Sequence, residues 1–137
     1  SFDTTILALQ NGKASKLQYK LNTTKINPHK QFIMAEYLLF DGSLLNREFI
    51  YLAKDKDLEL PKADMEISQS FKNGETRIHI KSHTLIRNIW FTRADGKAGN
   101  FGSNNFDIAP GEQWSSTIKS DKQIDIKWRT LNGVLQK

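Results

Sequence analysis

The sequence predicts an all-β chain, an immunoglobulin-like β-sandwich of two mainly antiparallel sheets. Three observations lead there. Apolar residues recur with a period of two rather than 3.6. Turn-forming clusters divide the apolar runs every 8–12 residues or so, the spacing of short sandwich strands. No stretch carries a convincing helical period.

The elements follow in order. A short run, 4–9, ends at Asn11-Gly12-Lys13, and a second strand is expected over 16–26. The runs 32–40 and 44–53 flank Asp41-Gly42-Ser43. Strands 63–71 and 75–82 flank Lys72-Asn73-Gly74-Glu75. Asn-Gly tolerates positive φ at both central positions of a type I′ hairpin turn. In the second of these strands Ile78 and Ile80 alternate with Arg77, His79 and Lys81. Strand 85–92 closes before Asp95-Gly96-Lys97. The segment 97–109 reads as a long loop rich in Gly, Asn and Ser. Pro110-Gly111-Glu112 then leads into 113–130, divided near Lys122. There Trp114, Ser116 and Ile118 share one face, as do Ile124, Ile126 and Trp128. The expected core is Ile67, Ile78, Ile80, Ile89, Phe91, Trp114, Ile118, Ile126 and Trp128. Run 32–40 is apolar on both faces, so its second face needs a cover of its own or a partner.

Composition excludes several chemistries. The chain has 137 residues, a formal charge of +5 and no cysteine, which removes disulfides, thiolate metal sites and cysteine nucleophiles. Basic residues are scattered and no nucleic-acid-binding motif accompanies them, so no nucleic-acid partner is expected. No apolar run approaches the roughly 18 residues of a membrane helix, so no membrane partner is expected. His79 and His83 would converge on a helix, but on strand-like sequence they lie roughly 13 Å apart. Asp95, Asn100, Asn104, Asn105 and Asp107 offer calcium-type oxygen ligands, in an order unlike a calcium loop. No serine is framed as a nucleophile elbow, and no carboxylate pair stands out. No catalytic residue, cofactor or metal site is therefore assigned. Among the tryptophans, Trp90 is out of phase with Ile89 and Phe91 and is the candidate for an exposed ring.

Four segments carry a family resemblance. Phe101-Gly102-Ser103-Asn104-Asn105-Phe106-Asp107-Ile108-Ala109-Pro110-Gly111-Glu112 resembles the stretch Phe-Ser-Asp-Asn-Phe-Phe-Asp-Leu-x-Pro-Gly-Glu near the end of β-mannosidases of glycoside hydrolase family 2. Lys54-Asp55-Lys56-Asp57-Leu58-Glu59-Leu60-Pro61 is similar to that family's Lys-x-Leu-x-Leu-Pro lead-in. Ser82-His83-Thr84-Leu85-Ile86-Arg87-Asn88-Ile89-Trp90-Phe91 resembles its Ser-x-x-Leu-Ala-x-x-Val-x-Leu strand, and Thr130-Leu131-Asn132 its closing Ser-Leu-Asn. The resemblance covers 54–132; residues 1–53 match more loosely, as the preceding sandwich region, within a single β-sandwich fragment, 1–137.

The resemblance implies a non-catalytic C-terminal accessory domain whose partner is the catalytic barrel of the same parent chain. The parent would hydrolyse terminal β-mannose residues, in a periplasmic or secreted setting. The family's catalytic glutamates lie in that barrel, about 250 residues long, which a chain of 137 cannot hold. Trp90, Phe101, Asn104, Asn105 and Phe106 are the candidate ligand or domain-interface residues, with Phe101 and Phe106 pinning the loop. Two alternatives stand beside this expectation. One is an independent carbohydrate-binding module, with a glycan as partner at Trp90 and loop 97–109. The other is an immunoglobulin-like protein-interaction domain.

Overall fold

The structure, a computed structural model, describes residues 22–135. The expected strand 4–9 and most of 16–26 lie outside that range; residues 22–26 form turns and loop rather than strand. The described residues form an all-β antiparallel sandwich with an added hairpin. The hairpin is β1 (Phe32–Leu38) and β2 (Leu44–Tyr51). A 3-10 turn, Asp55–Asp57, leads to β3 (Met65–Lys72) and β4 (Glu75–Ser82). Then follow β5 (Ile86–Arg93), β6 (Phe106–Ile108), β7 (Gln113–Lys119), β8 (Ile126–Arg129) and a single helical turn and a half, α1 (Leu131–Leu135). One sandwich sheet has the order β3-β4-β7 and the other β6-β5-β8.

The Asn-Gly hairpin forms as its chemistry dictates. Lys72 faces Glu75 across a two-residue loop, with Asn73 at φ 53° and Gly74 at φ 75°. Both central residues are left-handed, which is the type I′ geometry that matches strand twist.

The core lies between the inner faces of the two sheets. Ile78, Ile80, Ile86, Ile89, Phe91 and Ile108 are each at most 1% exposed. Burying one such side chain is worth roughly 1.5–3 kcal/mol. Phe91 and Trp114 stack across the sheets, centroids 5.3 Å apart and planes 11° from parallel. The two central strands, β4 and β5, hold most of the fully buried side chains.

Edge position explains where the expected core differs from the observed one. Ile67, Trp114 and Ile126 are only partly buried, and each lies on an outer strand of its sheet. Trp128 corrects the expectation outright, being 44% exposed. Its phase is right, since it stands opposite Phe91 in the ladder. But β8 is an edge strand, and an inward-pointing ring there has a neighbour on one side only.

The loop 97–109 is also corrected, because residues 106–108 form β6. Periodicity cannot announce a strand of three residues. The pairing of β5 with β6 contains a bulge: Ile86 faces Ile108 and Ile89 faces Phe106, so three steps on β5 match two on β6. Asn88, at φ 50°, takes up the extra residue. Without it Ile86 and Ile89 would point to opposite faces; with it both point inward.

Centre and edge are expected to respond differently to truncation. Ile80→Ala should destabilise the chain by about 2–5 kcal/mol in urea titration. Trp128→Ala should cost less than Ile80→Ala although it removes more atoms. Equal or reversed costs would contradict the edge placement of Trp128.

Candidate functional site

The densest polar cluster lies where β2, the 3-10 turn, β5 and β6 meet. Its centre is the Asp107 carboxylate, with a side chain 6% exposed. Arg87 Nη1 donates to both carboxylate oxygens, at 2.9 and 2.8 Å. The backbone N–H of Asn88, the bulge residue, donates to Oδ1 at 2.8 Å, and the Tyr51 hydroxyl donates to Oδ2 at 2.7 Å. Arg87 also reaches Asp55 Oδ1 through Nη2 at 3.1 Å and lies 4.3 Å over the Tyr51 ring. Burial opposes the Arg87 charge, but hydrogen bonds to Asp107 and its negative charge outweigh it and raise the pKa further. Burial, the bond to Asp107 and that carboxylate's charge push the Tyr51 phenol well above its usual range.

Two asparagines complete the support of β5. Asn132, fully buried, accepts from the Arg87 N–H at 2.8 Å and donates to the carbonyls of Pro61 (2.9 Å) and Leu85 (2.8 Å). Asn104 accepts from the Phe91 N–H at 2.7 Å and donates to the Phe91 carbonyl at 3.1 Å. Its amide thus replaces a neighbouring strand just beyond the end of β6. Residues from all four segments of the resemblance, Asp55, Arg87, Asp107 and Asn132 among them, meet in this one network.

The sequence-predicted site residues therefore divide. Phe101 is 5% exposed and packs on Phe91, centroids 5.9 Å apart. Phe106 lies on Trp114 at 4.9 Å and on Phe91 at 6.2 Å, anchoring the segment as expected. Asn104 is engaged with the Phe91 backbone. Asn105 is exposed, at φ 61°, with its N–H donating to Ile89. Trp90 is 47% exposed, on the face opposite Ile89 and Phe91. The structure thus leaves Trp90 and Asn105 open and engages the other three.

The calcium-type residues are likewise separated by their tasks. Asp95 binds Arg93 at 2.9 and 2.6 Å; those hydrogen bonds hold its pKa down at about 2. Asn100 accepts from the Gly102 N–H. Asp107 faces Arg87. Among the described residues no group of three His, Asp or Glu side chains gathers for a metal ion. His79 points outward from β4 and meets Ser115 Oγ at 2.9 Å, whereas His83 meets Glu66 at 2.9 Å.

Outside this network two surfaces stand out. The hairpin β1–β2 faces the sandwich through Tyr51 and through Arg47, which pairs with Glu36 (2.5 Å) and with Glu112. Its other face bears Ile33, Ala35, Tyr37 and Ile50 together with Asn46 and Glu48; Ile33 and Ala35 are half-buried, Tyr37 is 49% and Ile50 45% exposed. The tip is more apolar still, with Leu39, Phe40 and Leu45 all exposed. The second surface is a shallow bowl of about 450 Å³ on the outer face of β3-β4-β7, lined by Ser68, Ser70, Arg77, His79, Ser115 and Thr117 among others.

No protein-family model matches the chain, and no curated protein matches it. Among the described residues no helix is long and apolar enough to cross a membrane. Sequence reasoning singled out Trp90 and the 101–106 residues but missed Tyr51, Arg87 and Asn132. For Arg87 and Asn132 the signal was present in the spacing of the four segments, yet only folding shows that those segments converge, and Tyr51 lies outside them.

The Tyr51 phenol gives this network a pH signature. Its pKa is raised in the folded chain, so its stabilisation is complete below the unfolded value near 10 and is lost as pH rises above it. In urea titrations, stability should therefore fall more steeply above about pH 10 in the native chain than in Tyr51→Phe. At pH 7 the variant should lose about 1–2 kcal/mol through the missing hydrogen bond. Identical alkaline slopes would show that Tyr51 is not held by Asp107.

Proposed function

We propose that this chain is a non-catalytic accessory β-sandwich from the C-terminal region of a β-mannosidase, and that its partner is the catalytic barrel of the same parent. The resemblance at 54–61, 82–91, 101–112 and 130–132 supports the parentage. The network around Asp107 supports the non-catalytic role, because the motif residues hold strands and turns together. The observation that carries the accessory reading is the hairpin tip. Phe40 is 95% exposed, Leu45 67% and Leu38 57%, all at the turn end of a two-stranded sheet, where Leu38 faces Leu44, itself 48% exposed. Several large apolar side chains exposed at one end of a hairpin are the kind of surface that marks an interface.

The test uses the full-length parent and a chromogenic β-mannoside. Phe40→Asp with Leu45→Asp should lower the parent's thermal midpoint by several degrees or cut its turnover at least severalfold. The same pair should shift the stability of this chain by no more than about 0.5 kcal/mol, since both side chains are already exposed. A parent unaffected in both respects would remove the docking role, and a parent inert on every β-mannoside would remove the assignment of substrate.

The exposed Trp90 favours a second reading, a glycan-binding module. Trp90 and Arg129 stand opposite each other in the β5–β8 ladder, on the outer face. Under that reading, mannohexaose would quench tryptophan emission saturably in the native chain and not in Trp90→Phe. Under the accessory reading neither form responds.

A further inference from the structure

We propose that the outer face of β3-β4-β7 is a binding site for an acidic sugar, a pyranose unit carrying a carboxylate or sulfate, held by Arg77. This site lies on a different face from the hairpin and does not depend on the parentage proposed above.

The register builds the site in rows across the three strands. Ser70, Arg77 and Thr117 form one row, and Ser68, His79 and Ser115 the next. The alternation of β4 sends Thr76, Ile78 and Ile80 into the core, so Arg77 and His79 must point outward on the central strand. Short hydroxyl side chains flank them on both sides, which leaves the shallow bowl of about 450 Å³ over the middle of the sheet. Adjacent strands lie about 4.8 Å apart and same-face residues about 6.8 Å apart along a strand. Two rows on three strands therefore span roughly 10 by 7 Å, the size of one or two sugar rings.

Charge selects the ligand. Arg47, Arg87 and Arg93 each pair with carboxylates, whereas Arg77 makes no ion pair among the described residues. The face's carboxylates, Glu66 and Glu75, lie in the outermost rows, and Glu66 is bound to His83. Lys81 faces Glu66 in one outermost row, and Lys72 and Lys119 flank Glu75 in the other, so each of these carboxylates has a cation beside it. The guanidinium thus offers an unmatched planar fork, which suits a carboxylate or sulfate. His79 Nδ1 meets Ser115 Oγ, which orients the ring and leaves Nε2 toward solvent. The four hydroxyls both donate and accept, so they match a ligand that also carries hydroxyl groups. No Phe, Tyr or Trp ring stands in these two rows, so a neutral pyranose gains no large stacking surface here.

The experiment is a titration of the whole chain, followed by backbone amide chemical shifts. The probes are a galacturonic acid disaccharide, galactose 6-sulfate, inorganic sulfate and neutral mannobiose. Either acidic sugar should shift residues 68–70, 77–79 and 115–117 saturably, and the tighter of the two identifies the oxyanion. Arg77→Gln should weaken that binding at least tenfold, and Arg77→Lys, which keeps the charge and loses the fork, by less. Both substitutions lie on an exposed position, and an unchanged amide spectrum elsewhere will show that the fold is intact. The proposal is overturned if Arg77→Gln binds as well as the native chain. It is equally overturned if shifts spread over all basic surfaces, if mannobiose binds as tightly, or if inorganic sulfate matches the sulfated sugar.

Discussion

The Asp107 carboxylate is the constraint on which the rest of the arrangement depends. It receives hydrogen bonds from Arg87, from the bulge N–H of Asn88 and from Tyr51, and so joins β6, β5 and β2 at one point. A carboxylate this buried is tolerable only when its lone pairs are satisfied and its charge is matched. Both conditions are met by groups that come from distant segments, so the network forms only when those segments dock. Its geometry also sets the bulge at Asn88, and the bulge sends both Ile86 and Ile89 into the core. Polar specificity and apolar burial are thus coupled through one extra residue.

Asn132 and Asn104 extend the same logic to the two ends of β5. Each uses a side-chain amide to satisfy backbone groups that a short neighbouring strand leaves unpaired. This is how a strand as short as β6 can stand beside β5. Removing such an amide would strand buried donors and acceptors, which costs more than the net value of the bonds themselves. The loop, which the sequence expects Phe101 and Phe106 to pin, is largely an internal brace. Phe101 and Phe106 pin it from the apolar side and Asn104 from the polar side.

What remains for partners lies elsewhere on the molecule. The hairpin carries an apolar tip and a mixed, partly exposed face, while its other face is tied to the sandwich by Tyr51 and Arg47. The outer face of β3-β4-β7 is polar, cationic at its centre and free of large apolar groups. The two surfaces differ in the chemistry they can recognise, the first by burial of apolar area and the second by charge-assisted hydrogen bonds.

Much of the fold was legible in the sequence. Period-two alternation determined β3, β4, β5 and β7 within a residue or two, and Asn73-Gly74 determined the hairpin between β3 and β4, because these are local properties of backbone and side chain. The inward phase of Ile78 and Ile80 and the outward phase of Trp90 were readable for the same reason. Tertiary structure alone decided that Trp128 stands at an open edge, since phase reports the face of a strand and not its place in the sheet. It also decided that 106–108 become a strand and that Asp107 meets Arg87, Asn88 and Tyr51. Those outcomes depend on which distant segments come together, and periodicity within a segment carries no information about its neighbours in space.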